Sequence, residues 1–186
     1  MSTCGSLLIH ACCAHCTAYT IEHWREQGYD VTALWYNPNI HPFTEHNLRL
    51  EAMKNLSQNM DFPLVIVGGY DFKEYFCRVV GHEDERCAYC FELRLGMAAR
   101  KTKELGSQAF TSSLLISLHQ KHDLTKEIGE KVALENGVSF LYADLRKRYS
   151  DSRHITKPME LYRQQYCGCV YSEHERYAEL SSKHKE

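Results

Sequence analysis

Residues 6–16 have the sequence SLLIHACCAHC, in which a short apolar run leads into a cluster of cysteines and histidines. Residues 17–24 then have the apolar spacing of a helix, so this part of the chain predicts a strand, a tight turn and a helix. In an open parallel sheet, ligands bind where the carboxyl end of a strand meets the amino end of the next helix. The dipole of that helix stabilises thiolates. The turn therefore predicts a metal or redox site rather than a glycine-rich phosphate cradle.

The rest of the chain alternates between strand-like and helix-like segments. Further strands are predicted at residues 31–36, 63–67, 109–112 and 139–142, and helices at residues 45–59, 72–80, 85–105 and 124–136. Strands that are separated by helices imply right-handed crossovers and a parallel sheet. We therefore expect residues 1–186 to form a single catalytic domain of the α/β class, with three layers and a C-terminal helical segment that contains cysteines.

The composition narrows the class of protein. The chain has 186 residues, of which 44% are hydrophobic, and this is enough to bury an ordinary core. It lacks an apolar run of membrane-spanning length and a secretion signal, so we expect a cytoplasmic protein without a membrane partner. Nine cysteines in such a protein argue against a disulfide scaffold, because the cytosol keeps thiols reduced. Metal binding or redox catalysis is the interpretation that remains.

A second pair of cysteines lies in RCAYC at residues 86–90, where a long helix is predicted to begin. The C-x-x-C spacing places both sulfurs on one face of the first helical turn. A site with four thiolates can be formed by Cys12, Cys13, Cys87 and Cys90. Zinc and an iron–sulfur cluster both accept four cysteines, and the adjacent pair Cys12-Cys13 favours the cluster. The alternative is buried free thiols, which is our interpretation of Cys4 and Cys77.

A third pair of cysteines is Cys167-Gly168-Cys169. One intervening glycine allows a small, strained disulfide, and strained disulfides are the easily reduced kind. The same spacing can also form one arm of a metal site. Both interpretations stay open from the residues alone, and redox use is the one that we favour.

Residues 145–163 contain six basic and two acidic residues, in a chain whose net charge is −2. Tyrosine and glutamine side chains lie among them and after them, as on surfaces that stack and hydrogen-bond RNA bases. The segment therefore predicts a polyanionic substrate, and an ordinary solvated basic face is the alternative. Arg146, Arg148 and Arg163 are its candidate substrate-binding residues.

Five segments together resemble the QueH family of epoxyqueuosine reductases, and they occur in the order that the family shows. They are HACCAHC at 10–16, YNPNIHP at 36–42, RCAYCFELR at 86–94, SSLLIS at 112–117 and YRQQYCGC at 162–169. The chain departs from the family pattern at three places. His15 stands where we expect proline, Leu118-His119 where we expect Pro-Tyr, and Phe91 where tyrosine is common.

The resemblance implies a cobalamin-independent enzyme that converts epoxyqueuosine to queuosine at the wobble position of tRNA. It implies a sheet of the HUP or adenine-nucleotide-alpha-hydrolase type, which is Rossmann-like. It also implies a 4Fe-4S cluster on the four thiolates proposed above, a redox-active disulfide between Cys167 and Cys169, and an electron donor that the sequence does not identify. An additional iron ion is a further candidate cofactor.

Further candidates lie at the same edge of the predicted sheet. Tyr36 and Asn39 follow the second strand and are candidate substrate-binding residues. Cys16 and Asp71 are candidate ligands of a second iron ion or proton donors. Because Asp71 precedes a helix, capping of that helix is its alternative role.

Two other functions use the same residues. A thiol–disulfide oxidoreductase would need the cysteines without iron, and it would be colourless after anaerobic purification. A zinc-stabilised module would bind tRNA without transferring electrons. The convergence of three cysteine groups with a basic, tyrosine-containing segment favours the reductase.

Overall fold

The structure is a computed structural model, and it describes residues 4–182. Its strands are β1 (Gly5–His10), β2 (Tyr29–Trp35), β3 (Leu64–Ile66), β4 (Ala109–Ser112) and β5 (Ser139–Phe140). Its helices are α1 (Ala14–Glu26), α2 (Phe43–Asn59), α3 (Lys73–Val79), α4 (Arg86–Leu105), α5 (His122–Asn136), α6 (Tyr149–Thr156) and α7 (Val170–Ser182). Short 3₁₀ segments lie at Glu83–Glu85, Ser113–Ile116, Arg146–Arg148 and Lys157–Met159.

The strands form one parallel sheet in the order β3-β2-β1-β4-β5. Leu7 of β1 pairs with Val31 on one side and with Ala109 on the other. The chain therefore builds outward from β1 to β3 and then returns to add β4 and β5 on the opposite side. The direction of winding reverses beside β1, and the crevice at such a reversal is where open α/β sheets bind ligands.

The two faces of the sheet are covered by different helices. Leu7 and Ile9 pack in a buried cluster with residues of α1 and α2. Leu8 faces the other way and packs with residues of α4 and α5. Because side chains alternate along a strand, this apolar run must be covered on both faces. The predicted three-layer α/β arrangement is confirmed.

The boundaries differ from the predicted ones by one or two residues at β2, β3 and β5. β5 ends at Phe140, although the sequence predicts a strand to residue 142. Leu141 still donates its backbone N–H to the carbonyl of Phe110 at 2.8 Å, and its own carbonyl accepts a hydrogen bond from the Thr111 hydroxyl at 2.7 Å. The predicted C-terminal helical segment comprises α6 and α7, and Cys169 lies immediately before α7. None of the helices among residues 4–182 has the length and apolar character that a membrane span requires.

Candidate active site

The turn between β1 and α1 brings three sulfurs together. The Sγ atoms of Cys12, Cys13 and Cys16 lie within 4.8 Å of one another, so this group could hold a metal ion. The Cys13 sulfur caps α1 by accepting a hydrogen bond from the backbone N–H of Cys16 at 3.4 Å. Ser113, which follows β4, donates to the Cys12 sulfur at 3.2 Å. The group therefore lies at the reversal between β1 and β4.

Of the three thiols, Cys13 is the one whose surroundings favour the thiolate form. Its pKa is lowered because the thiols of Cys12 and Cys16 donate hydrogen bonds to its sulfur. The same pairing raises the pKa of Cys12 to about 11 and also raises the pKa of Cys16. The side-chain amide of Gln164 donates to the Cys13 sulfur at 2.8 Å. Because metals bind thiolates, a metal that uses all three sulfurs must displace the remaining protons.

The two cysteines of the C-x-x-C motif lie on the first turns of α4. Burial raises the pKa of Cys90 to about 12 and also raises the pKa of Cys87. Cys87 and Cys12 border the same hydrophobic cluster, whereas Cys90 packs in a cluster with Cys169. The helix pair thus lies between the β1–α1 turn and the C-x-C pair, outside the tight group of three sulfurs.

Arg94 connects these groups and is itself 2% exposed. Its guanidinium donates to Asn37 Oδ1 at 2.8 Å, to His10 Nε2 at 3.3 Å and to Cys90 Sγ at 3.7 Å. Burial lowers its pKa, but the sulfurs of Cys90 and Cys12 outweigh burial, and the pKa of Arg94 is raised.

No carboxylate pairs with Arg94 within residues 4–182. A buried charge is costly unless an opposite charge compensates it. The neighbouring groups that can become anionic are cysteine sulfurs. The site therefore fits a group that keeps several thiolates deprotonated, as an iron–sulfur cluster does.

The Cys167-Gly168-Cys169 segment forms a loop before α7. The Cys167 thiol is exposed and its sulfur accepts a hydrogen bond from the amide of Gln120 at 3.1 Å, whereas Cys169 is buried. Gly168 has a φ of 141°, and a Cβ there would lie 3.1 Å from the Ile40 side chain. Only glycine fits this conformation and this close approach without strain.

Arg49 of α2 holds that loop in place. Its guanidinium donates to the carbonyl oxygens of Cys167 at 2.8 Å and Tyr166 at 3.0 Å. The remaining Nε donates to Glu45 at 2.6 Å, and Glu45 also accepts a hydrogen bond from the Tyr162 hydroxyl. Arg49 and Glu45 are both buried, so they form a desolvated ion pair. The same guanidinium connects that pair to the backbone of the loop.

These elements enclose a pocket of about 430 Å³, which lies within the usual range for ligand sites. Five of the residues that the sequence predicts for the site line it: Cys12, Cys13, Cys16, Arg163 and Cys167. Four further lining residues belong to the segment for which the sequence predicts RNA binding: Tyr149, Arg153, Gln164 and Gln165. The others were not predicted from the sequence: His15, Arg49, Arg94, Leu114, Ser117, His119, Gln120, Ser152, Tyr166, Ser172 and Arg176. The three cysteines of the β1–α1 turn and Cys167 of the C-x-C loop therefore line one cavity.

Arg146 and Arg148 lie outside this pocket. Arg146 is bound to Asp144 by hydrogen bonds at 2.6 and 2.9 Å, and Arg148 is bound to Asp151. The Arg146 guanidinium holds the pKa of Asp144 well below its usual range. Their predicted role in substrate binding stays a prediction.

Cys87, Cys90 and Cys169 do not line the pocket either, and neither do the three remaining candidates, Asp71, Tyr36 and Asn39. Asp71 is exposed, and its carboxylate accepts a hydrogen bond at 3.0 Å from the backbone N–H of Lys73, the first residue of α3, whose N-cap position is Phe72. The Tyr36 hydroxyl donates to Glu74 at 2.7 Å. Asn39 is buried beside Gly168, and its side-chain amide finds no hydrogen-bond partner in the described part of the chain. The site roles of these three residues stay predictions.

The comparisons with known proteins match this chain to one family along almost its whole length. The family described as epoxyqueuosine reductase QueH matches residues 7–175. A Dehalococcoides mccartyi protein of that name is 57% identical over 176 residues, which are 95% of this chain and 97% of that protein. Proteins of the same name from Histophilus somni and Thermotoga maritima are 37% and 31% identical. Those matches cover 90% and 96% of this chain, and 72% and 97% of the two relatives.

Two solved structures share the fold at 13% sequence identity. One is a predicted subunit of tRNA methyltransferase from Methanocaldococcus jannaschii, with a TM-score of 0.52 over 83% of this chain and 87% of that one. The other is the U34-tRNA thiolase NcsA from Methanococcus maripaludis with its 4Fe-4S cluster, with a TM-score of 0.51 over 99% of this chain and 67% of that one. At this identity the likeness shows the fold alone, and it confirms the predicted HUP-like, Rossmann-like class.

Proposed function

The chain belongs to the epoxyqueuosine reductase QueH family, and we propose that it removes the epoxide oxygen of epoxyqueuosine at the wobble position of tRNA. The reaction breaks two carbon–oxygen bonds, takes up two electrons and two protons, and leaves an alkene and water. The observation that carries the proposal is that Cys12, Cys13 and Cys16 of the β1–α1 turn and Cys167 of the C-x-C loop line the same cavity. We further propose that residues 1–186 act as one catalytic domain.

Cys12, Cys13, Cys87 and Cys90 are the proposed ligands of a 4Fe-4S cluster. When bound, such a cluster supplies electrons one at a time. Arg94 supports this assignment, because its buried positive charge lies among the ligand sulfurs and has no carboxylate partner within residues 4–182. Cys16 lies in the same tight group and is the proposed ligand of an additional iron ion.

Cys167 and Cys169 are the proposed redox pair. Oxidation of two thiols to one disulfide releases two electrons and two protons, which is what one epoxide consumes. Cys167 is exposed to the pocket, so it can be reached from the substrate side. An external electron donor must then reduce the disulfide before the next turnover.

The pocket can also hold a nucleoside. The rings of Tyr149, Tyr166 and His119 line it, and aromatic rings stack on unpaired RNA bases. The Gln165 amide lines the same wall and offers hydrogen-bonding groups. A base that is turned out of the anticodon loop would meet these groups before it reaches the sulfurs.

The test is anaerobic reconstitution with iron and sulfide, followed by reaction with tRNA that carries epoxyqueuosine and by mass spectrometry of the nucleosides. We expect a visible iron–sulfur absorbance and a product that has lost one oxygen atom. Cluster-loaded protein that binds the tRNA but leaves the epoxide intact in the presence of a reductant would refute the proposal. Zinc in place of iron would favour the tRNA-binding module, and colourless, iron-free protein that reduces disulfides would favour the oxidoreductase.

A further inference from the structure

The pocket is strongly basic although the chain has a net charge of −2. Its lining includes five arginines, and no aspartate or glutamate from the described residues contributes to it. The five are Arg49, Arg94, Arg153, Arg163 and Arg176. A concave surface that is lined by charges of one sign raises the local concentration of oppositely charged ligands. The pocket is thus suited to an anion.

Two of the five arginines are already used within the protein. Arg49 pairs with Glu45 and holds the C-x-C loop, and Arg94 lies buried beside Cys90. The other three, Arg153, Arg163 and Arg176, are exposed, and none of them forms an ion pair within the described range 4–182. Their charges are therefore available to a ligand.

The three arginines reach the pocket from different parts of the C-terminal region. Arg153 lies on α6, Arg163 lies in the segment before the C-x-C loop, and Arg176 lies on α7. A guanidinium binds phosphate through two parallel hydrogen bonds, and three guanidiniums from separate elements can contact successive phosphates of one strand. If these three guanidiniums bind phosphates at the edge of the pocket, the interior of the pocket stays free for a base.

We propose that Arg153, Arg163 and Arg176 form a phosphate-binding rim that grips the RNA backbone on either side of the nucleotide in the pocket. This inference rests on the proposed function for the identity of the RNA. It keeps Arg163 from the sequence-based expectation, which named Arg146, Arg148 and Arg163, and it replaces the first two by Arg153 and Arg176. Arg146 and Arg148 lie outside the pocket and are bound to Asp144 and Asp151.

The experiment compares two double variants that each remove two positive charges from the same segment. One is Arg153→Gln/Arg163→Gln and the other is Arg146→Gln/Arg148→Gln. The probe is an anticodon-arm RNA hairpin, with and without epoxyqueuosine, whose Kd is measured as a function of salt concentration. For a single strand, each phosphate contact contributes about 0.7 to the slope of log K against log salt concentration. The slope of the rim variant should therefore be smaller in magnitude by roughly 1.4. The second variant should keep the parent slope.

Arg176→Gln tests the third member of the rim and should reduce the magnitude of the salt slope by about 0.7. The loss should be the same for both hairpins, because phosphates are contacted whatever the base is. In turnover, the rim variant should raise KM while kcat is retained. Iron content, visible absorbance and thermal unfolding of each variant establish that the fold and the metal site are intact.

The proposal is overturned if the rim variant keeps the parent slope, or if both double variants flatten it equally. It is also overturned if the loss depends on the modified base. These outcomes separate the inference from the proposed function. A parent that reduces the epoxide while the rim variant binds normally retains the function and refutes the rim. A parent that binds both hairpins through the rim but never reduces the epoxide retains the rim and refutes the function.

Discussion

The two sulfur groups that face the pocket are held in different ways. The β1–α1 turn lies between a central strand and a helix, where the Cys13 sulfur accepts hydrogen bonds from the Cys12 thiol and the Cys16 backbone N–H and the Cys12 sulfur accepts one from Ser113. The Cys167–Cys169 loop is instead held by separate single contacts from different elements: Arg49 donates to the carbonyl oxygen of Cys167, the backbone N–H of His41 donates to that of Gly168 at 2.8 Å, and Gln120 donates to the Cys167 sulfur. Rigid elements suit ligands that must stay in one geometry. A loop that is held at a few points suits a pair that must change its bonding during the reaction.

The largest effect expected from this comparison is at the rigid group. Cys12→Ser or Cys13→Ser should abolish both iron binding and turnover, because a hydroxyl is a poor replacement for a thiolate at iron. Cys87→Ser and Cys90→Ser should do the same if the helix pair completes the site. Iron and sulfide analysis after anaerobic reconstitution measures this, and Cys77→Ser, on the exposed side of α3, is the matched control. Full iron retention in the Cys87 and Cys90 variants would remove the helix pair from the site.

Replacement of the loop cysteines should separate iron binding from turnover. Cys167→Ser and Cys169→Ser should retain the cluster and the affinity for tRNA but lose multiple turnover, since neither variant can form a disulfide. Alkylation of free thiols before and after reaction, with the reductant withheld, gives a second measurement. Protection of both thiols as product forms would support the redox role. Loss of iron in either variant would make the loop a ligand arm and would remove the difference between the two groups.

The sequence predicts the rigid group better than the loop because the rigid group is local. Cys12, Cys13 and Cys16 lie within five residues, and a strand followed by a helix is enough to bring them together. The roles of Arg49 and Arg94 depend on burial and on what lies across the fold. The i, i+4 spacings of Arg49 from Glu45 and of Arg94 from Cys90 are visible in the sequence, but such spacings are common on exposed helix faces.

The basic segment shows the same limit. In sequence, Arg146, Arg148, Arg153 and Arg163 are equivalent members of one charged run. In the structure, the first two are bound to carboxylates and the last two line the pocket. Which arginines are free depends on the path of α6 around the pocket, and that path is set by packing of α6 against α1 rather than by the charges.

Arg49 gives the next test of the comparison, because among the described residues its hydrogen bonds go to Glu45 and to the backbone of Tyr166 and Cys167, whereas its charge only helps to lower the pKa of Cys13. Arg49→Met leaves Glu45 buried without its cation, so we expect a loss of about 3–5 kcal/mol in the free energy of unfolding. We also expect faster alkylation of Cys167, because the loop loses two hydrogen bonds. Thermal unfolding and thiol-labelling rates measure the two effects.

A double variant separates the role of Arg49 in stability from its role in the loop. Glu45→Gln/Arg49→Met removes both buried charges and should recover part of the lost stability, while the labelling of Cys167 stays fast. Arg49→Lys retains the charge but cannot make three hydrogen bonds in one plane, so it should lie between Arg49→Met and the parent. Unchanged labelling in all of these variants would show that the loop is held by other contacts.

The smallest expected effect is at Gln164, whose amide connects the loop side of the pocket to the rigid group. It donates to the Cys13 sulfur at 2.8 Å, and hydrogen bonds to ligand sulfurs raise the reduction potential by stabilising the more electron-rich state. Gln164→Leu should therefore shift the midpoint potential to more negative values, by on the order of tens of millivolts, with iron content unchanged.

Gln165→Leu is the matched control, because the neighbouring amide lines the same pocket but donates to the carbonyl of Arg163. If the two variants have the same potential, the Gln164 contact does not tune the metal site, and the rigid group is electronically independent of the loop side. A shift at Gln164 alone would instead show that the C-terminal segment, besides carrying the loop cysteines, sets how readily the metal site accepts an electron.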